Sequence, residues 1–273
     1  LHSSDYSDQV KWVDSVYNSL STDERIGQLF TVWVATKYGD DEINEISKLI
    51  ENYHLGGLIF SLGNIKDQAL AINHFQKISN VPLLISMDAE WGIGMRLSDA
   101  FSFPYNMTLG AIKNDSLIYD VGKRIGYHAK RLGVQINFAP VVDVNTNPRN
   151  PIIGSRSFGE DKYNVARKGV SYLKGMHYHG IMGAAKHFPG HGDTETDSHK
   201  TLPSISFSKD RINKIELYPF KELIKNNLDG IMTAHLNIPS LDKKNISTLS
   251  KKIINDLLIE DLKFNGLVIT DAL

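Results

Sequence analysis

Short apolar runs alternate along the whole chain with stretches whose apolar residues recur at helical spacing. The short runs predict strands over residues 29–34, 57–60, 83–88, 134–138, 182–186, 230–233 and 267–271. Helical spacing predicts helices over 41–53, 66–79, 116–132, 162–179, 209–226 and 250–262, several opening on Ser or Asp caps. Such a β/α rhythm implies a parallel sheet. Seven strands in one series predict an α/β fold of the TIM-type (β/α)8-like barrel class, with an open two-sided sheet as the alternative. Residues 1–25 read as an N-terminal extension and first helix, and 26–273 as one barrel domain, undivided by repeats, low-complexity tracts or Pro/Ser linkers.

A barrel of this kind does its chemistry at the C-terminal ends of its strands. Asp88, Asp143, Lys186, His187, His235 and Asp271 all stand at or just beyond such ends. The densest group is KHFPGHGDTETDSHK, residues 186–200, which follows the small-apolar stretch 181–185 and holds three histidines, three acidic residues and two lysines. Neither core packing nor solvation calls for that density of titratable groups, so the loop is the first candidate for chemistry.

Composition narrows the classes. Thirty basic against thirty-one acidic residues give a formal net charge of -1, and no Lys/Arg block forms a phosphate-backbone groove, so nucleic acid is not an expected partner. The 41% hydrophobic content supports a substantial core, and no apolar stretch reaches the length of a membrane span. With no cysteine, neither disulfides nor thiolate metal sites are available. The polar start LHSSDYSDQ has no initiator Met and implies a processed or trimmed N-terminus. A removed signal peptide, which would place the protein outside the cytoplasm, and a simple boundary both fit.

Within the loop, Asp197 can accept a hydrogen bond from one nitrogen of His199, fix its tautomer and favour the protonated ring, which makes the pair a candidate general acid/base. A plain surface turn is the competing reading. Asp271, closing the strand GLVITD, is placed either to cap a following helix or to attack an anomeric carbon. Asp88 to Gly92 with Arg96, and Arg156 in GSRSFG, are either rim salt bridges or carboxylate and guanidinium ligands for sugar hydroxyls. Trp33 and Trp91 are as easily core as sugar platforms. His187, His191, Asp193, Asp197 and His199 also contain metal-ligand types, but no helical HxxxH pair fixes two rings on one face, so no metal and no cofactor are expected. A calcium-loop match over 143–154 fails, with Pro148 where the turn Gly belongs and Gly154 where the Glu belongs.

Taken together, KHFPGHGDTETDSH, DAEWG with Arg96, NFAPVVDVN, GSRSFG, MTAH and the terminal VITD resemble the NagZ-type β-N-acetylglucosaminidases of glycoside hydrolase family 3. The likeness runs from IGQLF near residue 26 onward, and the long loop motif carries most of its specificity. It implies a barrel and a retaining mechanism with Asp271 as nucleophile and Asp197/His199 as the acid/base dyad. It also implies that Asp88, Arg96, Arg156, Lys186 and His187 hold the terminal N-acetylglucosamine, and His235 in MTAH joins them as an expected substrate ligand. Branches that draw a Glu acid from a second domain lack this His loop.

Two departures stand out. DAEWG places Trp91 where a small residue is usual, and the sequence stops after the nucleophile strand, so the eighth β/α unit of a closed barrel is expected from a missing C-terminal segment or second domain. The expected function is an exo-β-N-acetylglucosaminidase acting on cell-wall saccharides, muropeptides above all. A β-N-acetylglucosaminide phosphorylase is the enzymatic alternative, because a His acid does not repel phosphate as a Glu would. A non-catalytic sugar-binding module is the alternative of another class.

Overall fold

Parallel strands in chain order, joined by helices, make up both parts of the structure, which is the α/β class the alternation predicts. The computed structural model describes residues 3–194 and 202–273, so the predicted dyad of Asp197 and His199 lies outside the described residues. The chain divides into two compact units. The first comprises residues up to Met87 with Arg96–Ala100 and Leu132–Val134; the second comprises Asp88–Met95, Phe101–Arg131 and Gln135–Leu273.

In the first unit, helix α1 (Ser3–Ser19) is followed by α2 (Thr22–Gly27), which opens on a capping box. Ser21 Oγ accepts from the Glu24 N–H at 3.3 Å while Glu24 Oε2 accepts from the Ser21 N–H at 2.7 Å. Strand β1 (Thr31–Val34), helix α3 (Asp40–Tyr53), β2 (Gly57–Phe60), α4 (Ile65–Ile78) and β3 (Leu84–Met87) then alternate. The acidic first turn of α3, Asp40 to Glu42, complements the helix dipole, and Asn64 caps α4 by accepting from the Asp67 N–H at 2.9 Å. The strands pair in register, Thr31 with Gly57 and Gly57 with Leu84. Leu58, Phe60, Phe75, Ile85 and Met87 are fully buried between strands and helices, which is where this unit draws its hydrophobic stabilisation. Arg96 belongs to this unit, half-buried beside the buried Leu97.

The second unit carries α5 (Asn106–Gly110), α6 (Asp115–Leu132), β4 (Ile136–Asn137), α7 (Lys162–His177), β5 (Met182–Phe188), α8 (Lys209–Lys214), α9 (Leu217–Lys225), β6 (Gly230–Thr233) and β7 (Leu267–Thr270). A π-type helical segment, Lys252–Asp261, precedes β7. Ile136 pairs with Met182, Ala184 with Gly230, and Gly230 with Leu267, so β4 to β7 run parallel as neighbours. Among the described residues no helix is long and apolar enough to cross a membrane.

The single helix predicted over 209–226 is two. A continuous helix would set the Pro219 ring against the Ile215 carbonyl and leave that carbonyl without its donor. The break after Lys214 moves Pro219 into the first turn of α9, where its missing N–H costs nothing, and the Tyr218 N–H takes the Ile215 carbonyl at 3.2 Å. The strand predicted over 134–138 shortens to Ile136–Asn137.

Candidate active site

Because β5, β6 and β7 are parallel neighbours, their C-terminal ends bring Lys186 and His187, His235 and Asp271 to one side of the second unit. The pairing of β5 with β6 shifts register between Ala185 and Phe188, an irregularity that re-aims side chains at the strand end. The Lys186–His187 and Phe188–Pro189 peptides are cis. Lys186 and His187 both reach the same charged cluster.

Glu90 is the centre of that cluster, with its side chain 0% exposed. Arg156 grips it as a fork, Nε–H to Oε2 at 2.9 Å and Nη2–H to Oε1 at 2.6 Å. Lys186 Nζ lies 2.9 Å from Glu90 Oε1 and donates to Asp88 Oδ1 at 2.6 Å. Burial alone would raise the Glu90 carboxyl, but the Lys186 ammonium and the Arg156 guanidinium outweigh it and hold the group far below the usual carboxylate range. Burial likewise works against the Lys186 ammonium, and Asp88 and Glu90 reverse it and raise that group. The Ala89 and Glu90 backbone is itself pinned. Asn137, at the end of β4, accepts from the Ala89 N–H at 2.9 Å and donates to its carbonyl at 3.2 Å, while the buried Tyr172 hydroxyl donates to Ala89 O at 3.0 Å.

His187 links this cluster to a second buried carboxylate. Its Nδ1 lies 2.7 Å from Asp143 Oδ2, and Arg156 Nη2 lies 3.3 Å from its Nε2. A guanidinium only donates, so Nε2 accepts and the ring proton sits on Nδ1, facing Asp143. Asp143 also accepts the His187 N–H at 3.1 Å and, on Oδ1, the His191 N–H at 2.7 Å. Burial pushes Asp143 up, and these His187 and His191 contacts more than offset it and lower the group. One carboxylate thus fixes both the His187 ring and the start of the loop behind it.

The loop glycines have specific reasons. Gly190 has φ +130, and a Cβ there would stand 2.7 Å from the Glu216 Cβ. At Gly192 a Cβ would meet the Val144 carbonyl oxygen at 1.9 Å. Asn150 Nδ2 donates to the His191 carbonyl at 2.8 Å, and Thr194 Oγ1 lies 2.7 Å from His191 Nδ1. The buried His191 Nε2 has no hydrogen-bond partner among the described residues, and burial lowers its ring pKa. Among the described residues no group of three or more His, Asp or Glu side chains could hold a metal ion.

Asp271 follows β7 directly. Its N–H donates to the Thr233 carbonyl at 3.0 Å and its Oδ1 accepts the Ala272 N–H at 2.8 Å. His235 is occupied on both nitrogens, Nδ1 facing Thr248 Oγ1 at 2.7 Å and Nε2 facing the Ala272 carbonyl at 2.8 Å. Of the residues singled out in the sequence, Asp88 meets Lys186 and Arg156 meets His187, and Glu90 joins the two pairs. Arg96 is described with the first unit, and Asp197 and His199 fall outside the described residues. Glu90 and Asp143 stood among the strand-end carboxylates without being named as site residues, and Asn137 stood in a quoted motif without a role. For Asp143 the signal was a carboxylate directly after the apolar Val141 and Val142, where burial without a cationic or N–H partner is prohibitive; no local signal marked Glu90.

Parallel β/α units with charged side chains gathered beyond their strand ends are the arrangement of an α/β barrel-type fold. The description Glycosyl hydrolase family 3 N terminal domain matches residues 21–273, and the chain belongs to this family. It is 39% identical over 254 residues to beta-hexosaminidase A of Pseudoalteromonas piscicida, covering 84% of this chain and 42% of that protein. Among solved structures, a family 3 β-N-acetylglucosaminidase from Paenibacillus sp. str. FPU-7 superposes with a TM-score of 0.87 at 38% identity, over 93% of this chain and 49% of the other. The β-glucoside phosphorylase BglX bound to 2FGlc gives 0.91 at 27% identity, over 97% and 49%. The chain therefore has the TIM-like barrel fold of this family, and it spans about half the length of these relatives.

Proposed function

We propose that this chain supplies the catalytic barrel domain, residues 26–273, of a retaining exo-β-N-acetylglucosaminidase that removes terminal N-acetylglucosamine from cell-wall-derived saccharides such as muropeptides. The observation that carries the reading is the network of Asp88, Lys186, Glu90, Arg156 and His187 around the buried Glu90, formed on the same unit as Asp271. Fixed carboxylate and guanidinium forks suit the rows of hydroxyls on a pyranose. Lys186 pairs with Asp88, Arg156 with Glu90 and His187 with Asp143, so each charged group is held in a fixed orientation before substrate arrives. The names of the Pseudoalteromonas and Paenibacillus relatives support the same substrate class.

In this reading Asp271 attacks the anomeric carbon as the glycosidic C–O bond breaks, and His199, charged and oriented by Asp197, gives its proton to the leaving oxygen. The resulting glycosyl ester on Asp271 is cleaved by a water whose proton passes to His199, with net retention. Asp88, Arg96, Arg156 and Lys186 hold the sugar, and His187, with Nδ1 on Asp143 and Nε2 facing Arg156, orients the guanidinium. Release of N-acetylglucosamine from a chromogenic β-N-acetylglucosaminide, with little release from the matching glucoside, tests it; equal rates on both would move the protein toward β-glucosidases. The fit to a structure named as a phosphorylase favours one second reading, transfer of the sugar to phosphate. Formation of the sugar 1-phosphate when phosphate is added would select it.

A further inference from the structure

His235 stands just beyond β6 and was expected to bind the sugar, yet its ring is spent inside the protein. A carbonyl oxygen only accepts, so the 2.8 Å contact with Ala272 O requires the proton on Nε2. Nδ1 therefore accepts, and the single proton of the Thr248 hydroxyl goes to it at 2.7 Å, with the Ala234 carbonyl 2.8 Å from the same oxygen. Ala272 is the residue after Asp271, and its own N–H holds Asp271 Oδ1 at 2.8 Å. Ala272 is therefore gripped on both sides, its N–H by the carboxylate and its carbonyl by the His235 ring. On the other flank the Asp271 N–H is tied to the Thr233 carbonyl, two residues before His235 in the chain. The same short segment of β6 and its extension thus fixes the backbone before and after the carboxylate.

We infer that His235 is a positioning residue for the nucleophile: through Nε2–H to the Ala272 carbonyl it sets the backbone that aims the Asp271 carboxylate. This rests on the reading of Asp271 as nucleophile. A ring with both nitrogens committed has no lone pair or proton left for a sugar hydroxyl, so its effect belongs in the rate of attack and not in ground-state affinity. Misplacing a reacting group by about an ångström costs on the order of 100-fold in rate, and loss of one of the three backbone ties about Asp271 is expected to cost somewhat less, roughly 10- to 100-fold.

The test compares His235→Asn, which reaches Thr248 but falls short of Ala272, with His235→Gln, whose amide nitrogen reaches about as far as the His Nε2. Both are made in the whole natural protein and treated with a 2-acetamido-5-fluoro glycosyl fluoride, following the label on Asp271 by mass spectrometry and measuring reversible N-acetylglucosamine affinity separately. Labelling of Asp271 in His235→Asn is expected to slow about 10- to 100-fold with affinity changed by less than about 3-fold, and His235→Gln is expected to recover most of the rate. Thr248→Val, which leaves His235 in place without its Nδ1 partner, is expected to slow labelling by a smaller factor and carries the test if changes at 235 prevent folding. A loss of affinity that matches the loss of rate would make His235 a sugar ligand and overturn the inference. Equal impairment by Asn and Gln, or unchanged labelling in all variants that fold, would overturn it too. An unlabelled Asp271 in the unaltered protein would instead remove the nucleophile reading, and this inference with it.

Discussion

Glu90→Gln isolates what the buried charge cluster contributes. The carboxylate makes three charge-assisted contacts, with Arg156 at 2.6 and 2.9 Å and with Lys186 at 2.9 Å. An amide offers one acceptor where the carboxylate offered two, and turns a donor toward a cation. At least one charge-assisted bond is lost, one becomes donor against donor, and the buried Lys186 keeps only Asp88 as a paired carboxylate. Breaking a buried pair from one side typically costs about 3–5 kcal/mol. For a domain of this size each kcal/mol moves the midpoint by about 2–4 °C, so a fall of about 6–20 °C is expected. The assay is thermal and urea unfolding at neutral pH, with Glu222→Gln as the control, because Glu222 and Lys225 are as close, at 2.7 Å, but on the surface. The control is expected to leave the midpoint unchanged. The pH dependence has a defined sign. Glu90 titrates below its unfolded value near 4.3, so its contribution is complete above that pH and is lost as pH falls toward the depressed folded value. The gap between the two proteins should therefore be full at neutral pH and narrow from about pH 4 downward. Equal effects at Glu90 and Glu222, or a gap that stays constant or widens on acidification, would refute the reasoning.

Asp271→Ala is expected to abolish turnover while sugar binding persists, read by single-turnover kinetics and equilibrium binding; retained turnover would move the nucleophile elsewhere. His199→Ala should slow poor leaving groups by a factor on the order of 10²–10⁴ and activated aryl glycosides much less, with a burst of product; equal slowing without a burst would make its role binding or folding. Asp143→Asn leaves His187 facing an amide that cannot accept from both ring and loop N–H groups as well, so a rise in KM is expected with a fall in kcat, separable by steady-state kinetics on one substrate. Chelators should leave activity unchanged, because the Arg156 guanidinium 3.3 Å from His187 Nε2 takes the lone pair that a metal would need; loss of activity restored by added metal would contradict this.

Local pattern located the strands well because each is a run of apolar, β-prone residues, buried in β2 and β6 though largely exposed in β1 and β7. Gly57–Phe60 and Gly230–Thr233 appear with the predicted bounds, and Lys162–His177 ends two residues before its predicted end at 179. The helix over 209–226 split because apolar spacing continues straight through Ile215 and Glu216, while the steric demand of Pro219 acts on a carbonyl four residues earlier and leaves no mark on periodicity. The site was legible as a set of strand-end charges but not as a circuit. Nothing local distinguishes Asp88, which lies partly exposed, from Glu90, two positions on and wholly buried; that difference arises when Lys186 and Arg156 arrive from 96 and 66 residues away in sequence. His235 shows the same limit from the other side. A histidine at a strand end reads as a ligand until its partners are known, and here both ring nitrogens are held by Thr248 and Ala272, residues that no sequence rule connects to it. Residue type therefore indicates which groups are capable of chemistry, and long-range packing decides which of them remain available to perform it.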